Sequence, residues 1–186
     1  MKKWVSLVLA LTMMALCTFA LAEGIVFGLG SVTNRSDTPG DKEDGKNNRC
    51  EFNTTFAAVA MDLDGRFIWV KFDVAQNRVD FDFEGNALPA PDEAFPTKAE
   101  KLFAYNMKNT SASRGNINVN EEPGGEWFEQ AAFFEAYCVG KTLEEVISGV
   151  AIGEDNYPTG PDVLAGITIH INEFIEALHK AVADAK

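Results

Sequence analysis

Three residues near the end of the chain have types and spacing that could do chemistry: Asp162, Gly166 and Thr168, within the run Thr159-Gly-Pro-Asp-Val-Leu-Ala-Gly-Ile-Thr168. A threonine hydroxyl can carry a phosphoester bond. A glycine two residues earlier lets the backbone come close to a phosphate, and a helix starting just after it would aim free amides at the anion. Ile167 stands between the glycine and the threonine and would border any group attached there.

Other chemistries find little support. There is no Gly-x-Ser-x-Gly elbow for a serine nucleophile. His170 and His179 lie on or just before the C-terminal helical stretch, and neither has metal-ligand spacing with a cysteine. Gly140-Lys141-Thr142 has the ending of a phosphate loop, but Glu135 stands where that loop needs its first glycine. The Asp41-Lys-Glu-Asp-Gly-Lys46 run lacks the carboxylate spacing of a calcium loop and reads as a solvated surface loop. With 28 acidic residues, carboxylate pairs arise by chance. No catalytic set emerges, so binding or carriage fits the chain better than independent enzyme activity.

Compartment comes from the N-terminus. Met1-Lys-Lys-Trp is basic, Val5 to Leu16 is a short apolar run, and Ala20-Leu-Ala22 is a small-x-small processing site. Residues 1–22 are therefore expected to be a secretory signal peptide cleaved after Ala22, leaving 23–186 as a single domain and no transmembrane helix in the mature chain. The alternative is acylation at Cys17, disfavoured by Leu16 where lipoprotein processing needs a small residue. The intact chain has a net charge of −12; loss of Lys2 and Lys3 makes it −14. That charge repels nucleic acid and anionic lipid. Cys50 and Cys138 would be free to pair in an oxidising compartment if the fold brought them together.

The elements that must position the terminal segment follow from pattern. Gly24–Thr33 alternates, with Ile25, Phe27 and Leu29 on one side, as an opening strand. A polar loop is expected over 34–49. Phe56–Met61 and Phe67–Val74 are apolar runs joined through Asp64-Gly65, a favoured tight-turn pair, and read as a central hairpin. Arg78–Glu84 alternates as a further strand, with Val79, Phe81 and Phe83 opposite Asp80, Asp82 and Glu84. Thr97 with Glu100, and Thr142 with Glu145, have the spacing of capping boxes. Between them, 110–125 is a polar loop, and Trp127, Ala131, Phe134 and Cys138 form a helical stripe. Tyr157–Pro161 is a rigid turn, after which Phe174, Ile175, Leu178, Ala181, Val182 and Ala185 repeat at helical spacing on a packed terminal helix. The fold class is α+β: an antiparallel sheet with helices packed on it.

The segment from Asp162 to Thr168 resembles the flavin-attachment segment of FMN-binding domains from bacterial electron-transfer complexes. There, Asp-x-x-(Ser/Thr)-Gly-Ala-(Ser/Thr) carries FMN on its last residue. Asp162, Gly166 and Thr168 match; Ala165 replaces a hydroxyl residue, and Ile167 replaces the small alanine. A second resemblance spans nearly the whole mature chain. Thr97-Lys98-x-Glu100, Tyr105-x-Met107, Glu126-Trp127-x-x-Gln130 and Gly140-Lys141-Thr142-x-x-Glu145-Val146 are similar to blocks of a poorly characterised group of exported bacterial proteins related to that domain. The resemblance implies an FMN-binding-domain-like fold, with FMN held near Asp162, Gly166, Ile167 and Thr168 and the ring on aromatic side chains. It implies an extracytoplasmic flavin carrier passing electrons to a redox partner protein. The alternative is a flavin-free exported domain that binds another ligand or a protein. Lys98, Tyr105 and Gln130 are the candidates to line a pocket.

Overall fold

The computed structural model describes residues 24–90, 94–117 and 124–186; the expected signal segment, with Cys17, lies outside them. Three long strands form an antiparallel meander in the order β1-β2-β3: β1 Ile25–Thr38, β2 Asn48–Asp62 and β3 Phe67–Phe81. Helices follow in sequence: α1 Lys98–Lys101, a 3-10 turn Leu102–Tyr105, α2 Lys108–Ser113, α3 Trp127–Cys138, α4 Leu143–Val150 and α5 Asn172–Asp184. This is the expected α+β arrangement of one antiparallel sheet with helices packed on it.

The hairpin forms where the two apolar runs and Asp64-Gly65 place it, with Gly65 at a positive φ of 77°. Its strands are longer than their apolar runs. β1 continues through Asn34 to Thr38, which shortens the expected 34–49 loop. The stretch expected as a fourth strand at Arg78–Glu84 is instead the end of β3, which runs unbroken to Phe81 before turning at Asp82–Gly85. Only β2 is central; β3 is an edge strand, and its edge is partly occupied. Phe67 N–H donates to Lys141 O at 2.9 Å, and Phe72 N–H donates to Glu135 Oε1 at 2.9 Å.

Helices cover one face of the sheet. Val59, Val70, Phe72 and Val74 point into this layer and meet Trp127, Phe134, Phe174 and Leu178. The Phe72 ring stacks on Phe134 at 5.3 Å and on Phe174 at 4.8 Å between centroids. The stripe predicted for α3 is the buried one: Trp127, Ala131, Phe134 and Cys138 are all inside. Both expected capping boxes are present at Thr97 and Thr142, and Glu126 with Glu129 makes a third. Part of the expected 110–125 loop is helical, as α2.

Ile25, Phe27 and Leu29 lie on the other, uncovered face, with Phe27 and Leu29 60% exposed or more. The inward side of β1 is Gly28, Gly30 and Val32. A Cβ on Gly30 would collide with the Ala177 carbonyl and the Ala181 amide; one on Gly28 would collide with the Ala181 carbonyl. These glycines let the α5 backbone lie directly on the sheet. The chain end is fixed there too, because Phe27 and Lys186 exchange backbone hydrogen bonds at 3.3 and 3.2 Å.

Cys50 and Cys138 are both free thiols. Cys138, the last residue of α3, is fully buried, and burial pushes its thiol up to about 12, away from the reactive thiolate form.

Replacing Gly30 with valine should push α5 off β1. The expected cost is about 1–3 kcal/mol, typical of overpacking, or a melting point lower by several degrees. Chemical denaturation checks it; an unchanged midpoint would mean that α5 does not depend on this close approach.

Candidate functional site

Where α1, α3 and α5 meet the far end of the sheet, they leave a cavity of about 480 Å³. Its aromatic wall is Tyr105, Trp127, Tyr157 and Phe174; its polar wall includes Asn34, Asn53, Thr55, Lys98, Arg114, His170 and Glu173. A second cavity of about 340 Å³ is lined by Arg114, Asp155, Tyr157, Pro158, Leu164, Ile167 and Thr168. Arg114 and Tyr157 belong to both, so they form the partition. The Arg114 guanidinium lies 5.1 Å from the centre of the Tyr157 ring, and His170 packs on that ring at 4.3 Å.

The floor of the larger cavity is held by hydrogen bonds that sequence spacing does not reveal. Glu126, buried at the start of α3, accepts from Met107 N–H at 2.9 Å and from Lys108 N–H at 3.3 Å. This pins the chain after the 3-10 turn and so fixes Tyr105 and Met107 against the cavity. On α1, the Thr97–Glu100 box sets the first turn, and Ala99 N–H donates to Asp73 Oδ1 at 3.1 Å. Lys101 Nζ donates to Gln76 Oε1 at 2.9 Å. Lys98 is thereby presented from a short helix tied to β3 at two points.

Lys98 itself faces rings instead of carboxylates. Its ammonium lies 5.4 Å from the Tyr105 ring centre and 5.8 Å from that of Trp127. Among the described residues it has no hydrogen bond and no ion pair. Burial holds it below the ordinary lysine value, against the weaker opposing pull of Glu51 and Glu173. Desolvation also pushes the Tyr105 hydroxyl up. Glu51 and Glu173 are engaged by amides: Asn53 Nδ2 donates to Glu51 at 2.8 Å, and Asn34 Nδ2 to Glu173 at 3.0 Å.

The residues expected from the terminal motif separate. Asp162 is exposed on a turn after Gly160. Gly166 is buried against α3, where a Cβ would meet the Phe133 ring at 2.6 Å; the glycine serves close packing at this point. Ile167 is fully buried, and Thr168 is 5% exposed. Thr168 N–H donates to Gln130 Oε1 at 2.7 Å, and its hydroxyl lies 3.3 Å from the same oxygen. Gln130 in turn donates to Ser111 Oγ at 2.8 Å and to Gly125 O at 3.0 Å. The terminal helix begins at Asn172 and not directly after Gly166: Ile167 to Ile171 form no regular element, and Ile171 N–H donates to Asn156 O at 3.1 Å. No helical amide row therefore starts at Thr168.

Thr168 and Ile167 remain together on the wall of the smaller cavity, with Arg114, whose guanidinium donates to Thr168 O at 3.4 Å. The Arg114 guanidinium offers a phosphate a positive partner there, while the same lining carries the Asp155 carboxylate and the Thr168 hydroxyl donates to Gln130. Asp162 and Gly166 take no part in that wall. Of the three pocket candidates read from sequence, Lys98 and Tyr105 line the larger cavity, and Gln130 stands behind it as the anchor of Thr168. Trp127, read as core, is both core and cavity wall. Arg114 and Tyr157 were not legible as site residues, since each lies in a polar or turn segment with no recognisable spacing. Among the described residues no helix is long and apolar enough to cross a membrane, and no group of three or more His, Cys, Asp or Glu residues could hold a metal ion.

No known family's sequence profile matches the chain, and no solved structure matches it. One curated relative, a chlorophenol reductase from Desulfitobacterium hafniense, is 31% identical over 127 residues, which is 67% of this chain and 37% of that protein. The chain thus spans little more than a third of the length of this relative.

Proposed function

We propose that this chain is an exported FMN-binding-domain-like module that carries a flavin outside the cytoplasmic membrane and relays electrons to a partner protein. The observation that carries the proposal is the pair of cavities divided by Arg114 and Tyr157: one walled by four aromatic residues, the other containing the Thr168 hydroxyl. Thr168 and Arg114 would hold the phosphate; Tyr105, Trp127, Tyr157 and Phe174 would hold the ring. The larger cavity, at about 480 Å³, falls in the size range of small-molecule and cofactor sites. Bound there, a flavin supplies reversible acceptance of one or two electrons. The chain's own part is to orient the ring and keep water from it. The relative that is named a reductase is consistent with a redox setting.

A second reading is supported by the burial of Thr168. Its hydroxyl and amide both face Gln130, and the branched Ile167 is packed beside it, an arrangement that hinders a modifying enzyme. On this reading the domain keeps the fold and binds a different ligand in the larger cavity.

Expression with export and a flavin transferase should give a yellow protein. Colour that stays with the denatured chain and is lost in Thr168→Ala establishes the covalent bond. Colour that survives Thr168→Ala points to non-covalent FMN, and a colourless chain that also fails to bind added FMN sinks the flavin reading.

Arg114 supplies a finer test. Loss of a charge-assisted contact worth about 1.5–3 kcal/mol should weaken non-covalent FMN binding by about 10- to 150-fold in Arg114→Met. Riboflavin, which lacks the phosphate, should bind both proteins alike. Equal losses for FMN and riboflavin in titrations would place Arg114 at the ring instead.

A further inference from the structure

We infer that the larger cavity selects a planar aromatic ring bearing a negative charge on its edge, and that Lys98 is the residue that reads this charge. The inference rests on this cavity being a ligand site; it does not require the ligand to be a flavin.

Three observations converge on it. First, the cavity has an aromatic lining: Tyr105, Trp127, Tyr157 and Phe174 border one space. Flat π-surfaces reward a flat, apolar guest and give a flexible aliphatic chain no comparable stacking. Second, Lys98 lies over the Tyr105 and Trp127 rings without a hydrogen bond or carboxylate of its own among the described residues. A partly desolvated ammonium left without a counter-charge is costly, and an arriving anion removes that cost while forming a charge-assisted hydrogen bond. Third, two amides on the same wall are already matched. Asn34 is committed to Glu173, and Asn53 is bonded to both Glu51 and Gln76. Those amides are not free for a neutral polar ligand, whereas an anion finds Lys98.

Position rules out a merely solvated lysine. Thr97 and Glu100 fix the α1 turn, Asp73 holds Ala99, and Gln76 holds Lys101, so the Lys98 side chain leaves a backbone anchored on both sides. Glu51 and Glu173 are the acidic groups that act on Lys98 from β2 and α5, and Lys101 is the neighbouring cation on its own helix. Neither carboxylate comes within ion-pair distance of Lys98.

The test uses a matched pair of probes: 4-nitrophenol at a pH where it is ionised, and 4-nitroanisole, its uncharged methyl ether of almost the same shape. Calorimetric titration of the wild-type chain should show the phenolate binding at least about 10-fold more tightly than the ether, the ratio expected for one charge-assisted contact. In Lys98→Met that ratio should fall to near one through loss of phenolate affinity, with ether binding retained. Lys98→Arg should keep a preference for the phenolate. Retained ether binding shows that the Met variant is folded with its cavity intact, and a cooperative denaturation curve checks this independently. Equal binding of the two probes to the wild type, no binding of the phenolate, or a preference that persists in Lys98→Met each overturns the inference. FMN binding that is lost in Arg114→Met but unaffected in Lys98→Met would leave the flavin proposal standing while this one falls.

Discussion

Everything on the helical side of the sheet depends on how closely α5 can approach β1. Gly28 and Gly30 present bare backbone, and the carbonyls of Ala177 and Ala181 occupy the space that their side chains would fill. With α5 seated there, Phe174 enters the stack with Phe72 and Phe134, and Trp127 closes edge-on against Phe174 at 5.9 Å. Phe174 and Trp127 are in turn two walls of the larger cavity. A thicker residue on β1 would lift the helix, loosen the aromatic column and change the shape of the site, although β1 contributes few side chains to it. Dispersion and area burial reward such contact only when the surfaces meet without gaps.

How much of this could be read in the sequence varies with the range of the interaction. The Asp64-Gly65 hairpin, the Thr97 and Thr142 capping boxes and the α3 stripe are set by residues within a few positions of one another, and all are present. The run of β3 past Val74 was less legible, because Gln76 and Asn77 break the apolar pattern. The Gln76 amide is used next to the site, bonding both Asn53 and Lys101. The inward role of Gly28 and Gly30 depends on a helix some 150 residues later, and local alternation drew attention to Ile25, Phe27 and Leu29 instead. Those three form an apolar row because the strand alternates, yet it is the small residues between them that carry the packing.

The terminal motif shows the same limit at closer quarters. Gly166 and Thr168 stand at the spacing of an anion cradle, but spacing does not give depth. Phe133 explains the glycine, and Gln130 explains the burial of the threonine. Thr168 is linked to a cation through Arg114, which arrives from the segment after α2 and reaches the Thr168 carbonyl across the Tyr157 ring. A residue pair more than 50 positions apart leaves no mark in either local pattern.

Electrostatics give the site its character within an acidic chain. A net charge of −12 makes the surface as a whole repel anions, so an anion-binding pocket must be built locally. It is built by matching carboxylates to amides instead of to cations: Asn53 takes Glu51, and Asn34 takes Glu173. Elsewhere the pairing is the usual one, with Arg49 on Asp80 at 2.8 Å and Arg66 on Glu145 at 2.7 Å. Had Lys98 been given the same treatment, its charge would be spent inside the protein. Placed on aromatic faces, whose attraction for a cation is weaker than that of a carboxylate, it keeps most of its charge available to whatever enters. The acidic exterior then disfavours indiscriminate anion binding, and the inferred preference is for an anion whose ring can also occupy the aromatic wall.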